Sequence, residues 1–195
     1  MKKVVVTGGA GFIGSNMVDR LIDEGMEVII LDNFSTGKRE NCNAKATVYD
    51  VDLSTDHLEP FLKGVDVVFH FAALARVQPS IEDPLTFNKH NVDATLRLLF
   101  ACHKQGVTRV VYSASSSCYG DATEFPTPET HSTNPLSPYG LQKYIGEQYC
   151  KMFSEVYGLD TCSLRYFNVY GERMNLEGAY KLVLGIPCAL SIVFL

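Results

Sequence analysis

A chain of 195 residues with a formal charge of −5 and an apolar share of 46% holds one ordinary domain with a core to bury. That charge balance gives no footing for nucleic acid or an anionic membrane surface. Its six cysteines (Cys42, Cys102, Cys118, Cys150, Cys162, Cys188) form no Cys-x-x-Cys pair and follow no secretory leader. They read as free thiols in a reducing cytoplasm, not as a disulfide frame or a zinc site.

The chain opens on a β-branched run, Val4 to Val6, that enters Thr7-Gly8-Gly9-Ala10-Gly11-Phe12-Ile13-Gly14. Beyond Phe12 the apolar residues Ile13, Met17 and Leu21 fall at helical spacing. A buried strand, a glycine turn and a helix start make the opening of a nucleotide-binding βαβ unit. A bare glycine turn is more often only a turn. Here the overlapping spacings Gly9/Gly11/Gly14 and Gly8/Gly11/Gly14 stand in the right context on both sides. The first N–H groups of the helix then face the phosphates of a dinucleotide.

Ser15 to Glu24 reads as an amphipathic helix capped by Gly25, and Glu27 to Asp32 as a second buried strand ending in an acid. Asp32 lies 18 residues past Gly14, close to the offset at which a carboxylate takes the ribose hydroxyls and repels a 2′-phosphate. That favours NAD over NADP. The plainer reading makes Asp32 a turn residue, since Asp-Asn is good turn chemistry.

Asn33 to Ala44 reads as loop with a short helix, and Ala46 to Asp50 as a third strand; Asp52-Leu53 starts the next helical approach. Asp66 to Phe71 is a fourth strand running into Ala72-Ala73, small residues able to abut a flat ligand. Within it His70 reads as a hydrogen-bonded core histidine more readily than as a ligand contact. Pro79 to Pro84 reads as loop, and Val92, Leu96, Leu99 and Phe100 mark the core face of the helix that follows. Arg109 to Ser113 is a fifth strand that enters a serine cluster, Ser115-Ser116-Ser117, at the sheet end where ligands bind.

Thr123 to Pro138, with four prolines, is expected to be an irregular loop over the site. From Tyr139 a helix runs through Ile145, Tyr149 and Phe153. Tyr139 and Lys143 share a face at i and i+4, where a cation lowers the tyrosine pKa. Standing alone, the pair would read as an exposed Tyr/Lys face. A sixth strand spans Leu159 to Tyr166. Strands and helices alternating at this spacing predict a doubly wound parallel sheet with helices on both sides, an α/β/α Rossmann arrangement.

The glycine turn, the serine cluster, Tyr139-x-x-x-Lys143 and Arg165-Tyr166-Phe167-Asn168, in that order, resemble the extended short-chain dehydrogenase/reductase family. Within it the match is closest to the NAD-dependent nucleotide-sugar epimerases acting on UDP-hexoses. The resemblance runs from Lys2 to about Ile186. It implies that Gly8, Gly11, Phe12 and Ile13 hold the NAD pyrophosphate, Asp32 and Asn33 the adenosine ribose, and Asp52 and Leu53 the adenine. Phe71, Ala72 and Ala73 match the wall beside the cofactor, and Asn91, Ser113 and Tyr166 complete the set. Ser115, Tyr139 and Lys143 match the catalytic serine, base and partner lysine, and Asn168 the contact to the substrate diphosphate. By the same resemblance, Ser116 and Ser117 replace the acid pair of the dehydratases, and Ala75 replaces a lysine near the nicotinamide ribose.

The resemblance implies the following chemistry. Tyr139 takes the proton of the sugar C4 hydroxyl, Ser115 holds that oxygen, Lys143 supports Tyr139 and the cofactor ribose, and hydride moves to and from NAD. Two other readings are a UDP-glucuronate decarboxylase-like relative and a non-catalytic NAD-binding remnant. The expected organisation is an NAD-binding domain with the Tyr/Lys helix over 1–171. Residues 172–195 are then the start of a truncated or frame-shifted substrate region, so the chain is expected to bind NAD and turn sugars over poorly. The helices from Asn91 and Pro138 are candidates for pairing in a homodimer.

Overall fold

The computed structural model describes residues 2–174. The segment expected to open a substrate region lies outside the described residues from 175 onward. β1 (Lys3–Thr7) is followed by α1 (Phe12–Asp23), β2 (Glu27–Asp32), β3 (Thr47–Asp50), α2 (Glu59–Leu62) and β4 (Val67–His70). Then come α3 (Val77–Glu82), α4 (Pro84–Asn88), a π turn at Lys89–Asp93, α5 (Ala94–Gln105), β5 (Arg109–Ser115), α6 (Pro138–Tyr157) and β6 (Asp160–Tyr166). All five strand pairings are parallel, in the order β3-β2-β1-β4-β5-β6.

The strands are apolar at consecutive positions because helices cover both faces. Val5, Ile29, Val68 and Val110 pack under α5 and α6 with Leu98, Leu99 and Phe153. Val4, Val6, Val28 and Ile30 pack on the other face with Val18 and Leu21 of α1. The alternation along β1, with Val5 on one face and its neighbours on the other, follows from the two-residue period of a strand. The order of strands reverses between β1 and β4. A crevice therefore opens there, outside the carboxyl ends of the two strands.

Three expectations from sequence change. The stretch Pro79–Pro84 is helical in α3, and Pro84 opens α4. Pro79 lies in the first turn, where its missing N–H has no intrahelical partner to lose, and Asp83 Oδ1 caps α4 by accepting from the Thr86 N–H at 3.1 Å. Asp52-Leu53 forms a turn well short of α2; Leu53 is core instead. Phe100 is 45% exposed, while Thr95, Leu98, Leu99 and Cys102 are buried. Val92 and Leu99 are buried and Leu96 packs against the core as expected, so Phe100 alone leaves the expected face. Residues 120–137 contain no helix or strand, in keeping with an irregular loop.

Candidate cofactor and catalytic site

The crevice is built first from backbone. β1 ends at Thr7, and Gly8 turns with φ +68, donating its N–H to the Leu31 carbonyl at 2.9 Å. A Cβ on Gly8 would lie 2.7 Å from the Ala72 nitrogen, so only glycine lets this turn meet the Phe71-Ala72-Ala73 wall at the end of β4. A Cβ on Gly14 would overlap the Gly8 carbonyl, which fixes how closely α1 approaches its own turn. Gly11 is the extended N-cap of α1. Its N–H is spent on Gly8, whereas Phe12 and Ile13, the first helical residues, have N–H groups with no backbone acceptor among the described residues. Free donors at a helix N-terminus are what an anionic pyrophosphate requires.

Asp32, at the end of β2, is buried and accepts from the Ala10 N–H at 2.9 Å and the Phe34 N–H at 2.8 Å. The turn role and a ribose role are thus compatible, since each carboxylate oxygen retains a lone pair. Asn33 orders the next turn by accepting from the Ser35 N–H (3.1 Å) and reaches Asp52 at 3.4 Å. Asp52 is penalised by burial, yet the Ser54 hydroxyl and N–H, with Asn33 and His90, hold its carboxyl below the usual range. The Leu53 side chain is in the core, which leaves only its backbone available to a ligand.

Asn91 has a structural duty in the wall of the crevice. It is buried in the π turn, where its Oδ1 accepts from the Leu74 N–H (2.8 Å) and its Nδ2 donates to the Leu74 carbonyl (3.0 Å) and to Gln142 Oε1 (3.1 Å). Its side chain clamps the loop after Ala73. His70 is the buried, bonded histidine expected. The Ala72 N–H donates to Thr7 Oγ1 at 3.3 Å, Thr7 bonds His70 Nδ1 at 2.7 Å, His70 Nε2 bonds Thr95 at 3.0 Å, and Thr95 donates to the Asn91 carbonyl at 2.6 Å. The Thr95 proton is committed to that carbonyl, so Nε2 must carry the ring proton and Nδ1 must accept from Thr7. Burial, reinforced by the Lys143 charge, keeps His70 neutral, its pKa pulled down to about 3.

The second half of the site is built from side chains. β5 ends at Ser115, whose Oγ accepts from the Ser117 N–H at 3.1 Å and donates to the Ser117 hydroxyl at 3.0 Å. α6 starts at Ser137, which caps the Gly140 N–H at 3.1 Å. Its first turn is held from behind by Ser80 of α3, which accepts the Tyr139 N–H at 3.1 Å. Tyr139, Lys143 and Gly146 fall at i, i+4 and i+7 on the face turned to β5. A Cβ at Gly140 would come 2.8 Å from the Ser117 carbonyl, and one at Gly146 would overlap the Tyr112 hydroxyl. These two glycines let the helix close onto the strand and bring Tyr139 beside the Ser115 hydroxyl.

Lys143 is 5% exposed and donates from Nζ to the Ser113 carbonyl at 2.9 Å. Burial pulls its pKa down to about 8. The expected lowering of the Tyr139 pKa by Lys143 is not what this geometry gives. Burial raises the Tyr139 phenol, and the opposing influence is the Ser115 hydroxyl. The ammonium is engaged by a strand carbonyl in place of the phenol. Ser113 also lies beside the Tyr166 phenol, which burial raises. Asn168 is exposed beyond β6.

Sequence reading missed Gln142, Ser80 and Arg173, and the partners of Arg165. Gln142 and Ser80 are buried polar residues on helix faces, a detectable signal; the arginines work through partners distant in sequence. Every buried side-chain nitrogen and oxygen among the described residues has a partner. Among the same residues no His/Cys/Asp/Glu cluster suits a metal, and no helix is long and apolar enough to cross a membrane.

The model of the NAD dependent epimerase/dehydratase family matches residues 4–185. A UDP-glucose 4-epimerase from Mycolicibacterium smegmatis is 40% identical over 187 residues, covering 90% of this chain and 59% of its own. Among solved structures, a UDP-N-acetylglucosamine 4-epimerase from Methanobrevibacter ruminantium, in complex with UDP-N-acetylmuramic acid, superposes with a TM-score of 0.90 at 46% identity. That match covers 94% of this chain and 60% of that one. A Thermus thermophilus UDP-glucose 4-epimerase in complex with NAD gives 0.86 at 38% identity, covering 96% and 60%. The chain thus spans about three-fifths of the length of these relatives.

Proposed function

The chain belongs to the NAD dependent epimerase/dehydratase family, and from that premise we propose that it binds NAD and serves the 4-epimerisation of a UDP-hexose. The observation that carries this reading is the grouping of buried Ser115 at the end of β5 with half-buried Tyr139 and buried Lys143 of α6, on the other side of the sheet's carboxyl end from the glycine turn and Asp32. Phe12 and Ile13 would hold the pyrophosphate and Asp32 the adenosine ribose, with Ala72 and Ala73 as the wall. NAD, when bound, supplies a hydride acceptor and donor.

The residues of the chain do the rest. Tyr139 is the base for the sugar C4 hydroxyl, and the Ser115 hydroxyl, turned away from Ser117, would donate to that oxygen. Lys143, fixed by Ser113, sets the charge of the pocket floor. Asn168, exposed beyond β6, would meet the substrate diphosphate. Ser116 and Ser117 bring no acid to expel water from the sugar, which favours epimerisation over dehydration. The outward sides of α5 and α6 expose Phe100, Leu141, Val156 and Tyr157, apolar surface suited to a second copy of the chain. The free thiols among the described residues suit a reducing cytoplasm.

The test combines two measurements on the purified chain. Calorimetric titration should show NAD binding, and interconversion of UDP-glucose with UDP-galactose, or of their N-acetyl forms, should be slow and should depend on Tyr139. Binding without any such interconversion would leave a cofactor-binding protein and remove the epimerase reading.

A further inference from the structure

The segment Phe167–Arg173 has no helix or strand, yet arginine contacts hold both its ends. Before it, Arg165 grips Glu147 of α6 through two bonds (2.9 and 2.6 Å), donates to the Glu129 carbonyl at 3.1 Å and lies 4.8 Å over the Tyr119 ring. After it, Arg173 pairs with Asp19 of α1 at 2.5 Å and donates to Asn16 Oδ1 at 3.2 Å and the Asn41 carbonyl at 3.4 Å. Asn16 in turn donates to the Glu172 carbonyl at 3.0 Å, and Asn43 holds Asp19 from its other side at 2.7 Å. Arg173 has φ +66, a left-handed backbone that a non-glycine residue adopts at a cost. Tertiary contacts, not local preference, keep it there.

The segment so held runs from the catalytic helix to the cofactor helix. Between its far end and α1 is a cleft of about 480 Å³, with Phe12, Ile13 and Asn16 on one side and residues 169–172 on the other. Phe12 and Ile13, whose N–H groups have no backbone acceptor among the described residues, line that cleft. We propose that Arg173 and Asp19 form a latch that keeps the 169–172 segment across the α1 N-terminus and so sets how slowly a bound dinucleotide leaves. Arg173 is a positioning residue in this scheme; its guanidinium is committed to α1. The inference rests on the cofactor reading above. A pyrophosphate on the helix N-terminus would lie in this open cleft with the segment as its second wall, and the latch keeps that wall against it.

A direct electrostatic role makes the opposite prediction for one variant. If Arg173 attracted the pyrophosphate by its charge, neutralising Asp19 would free that charge and slow release. If the pair is a latch, neutralising Asp19 speeds release. The experiment is stopped-flow displacement of NADH from the 195-residue chain by excess NAD, followed by NADH fluorescence. Asp19→Asn and Arg173→Met should each raise the release rate roughly tenfold, the worth of one charge-assisted hydrogen bond. Association should change by less than about twofold, because electrostatic steering is not what the latch supplies. The exchanged pair, Asp19→Arg with Arg173→Asp, should recover most of the parent rate. Asp19→Asn is isosteric and keeps an acceptor for Asn43, so it carries the test even if Arg173→Met folds poorly. Unchanged release in a parent and variants that all bind NADH overturns the latch alone. Slower release in Asp19→Asn also overturns it, in favour of a direct counter-charge. A parent that binds no NADH overturns the cofactor reading and the latch with it.

Discussion

The two sides of the crevice are built by different means. On the β1–β2 side the donors are backbone N–H groups of Phe12 and Ile13, and the one acid, Asp32, is tied to backbone at Ala10 and Phe34. On the β5–α6 side the working groups are side chains, Ser115, Tyr139 and Lys143, sunk into a helix–strand contact that Gly140 and Gly146 make possible. The first side depends on the path of the chain, and the second on the identity of three side chains. Binding and chemistry should therefore be separable by mutation.

The largest separation is expected from Tyr139→Phe. Loss of a general base typically lowers the rate by on the order of 10²–10⁴-fold, while NAD affinity should stay within about twofold because the cradle is intact. Epimerisation rates and calorimetric titration on the same preparation measure both. A parallel loss of binding would erase the distinction between the two sides.

Lys143 offers the next largest effect, read in stability. Its folded pKa is about 8, against 10.5 for an ordinary lysine. Between those values the unfolded chain binds more protons than the folded one, so stability rises with pH across that window. Lys143→Met removes this titration. The parent should gain on the variant by on the order of 2–3 kcal/mol from pH 8 to 10.5, read from urea midpoints. A difference that stays flat over that range would mean that the ammonium is better solvated than its burial implies.

Asp32→Ala should have the smallest effect, touching the backbone side alone. NAD affinity is expected to fall about tenfold, as when one charge-assisted contact is lost, and the preference over NADP to disappear. Equal affinities for the two cofactors in the parent would remove the ribose role and leave Asp32 as a turn residue.

The same division governs what could be read from sequence. β1, the glycine turn, the start of α1 and Asp32 lie within 32 residues and are set by local pattern, so their places could be inferred from strand and helix periodicity. Tyr139 and Lys143 were legible through their i, i+4 spacing, but the partner of Lys143 was not. That partner is the Ser113 carbonyl, and a backbone oxygen 30 residues away leaves no mark in composition. Arg165–Glu147 and Arg173–Asp19 join residues 18 and 154 apart and were invisible for the same reason. Asn91 was named from its place beside the crevice, but type and position do not reveal that its amide also holds Leu74. Phe100, at the edge of a face whose Val92, Leu96 and Leu99 do meet the core, shows that an apolar residue beside the stripe need not be buried.

The row of bonds through His70 looks like a path for protons, but its ends forbid conduction. It starts at the Ala72 amide, which only gives a hydrogen bond, and stops at the Asn91 carbonyl, which only receives one. Each group between them has one permitted direction, and a proton passing along the row would leave every member reversed with no terminal group able to reset it. The row is an insulator. The wall beside the crevice can thus be crossed by hydrogen bonds from strand to helix without carrying a proton.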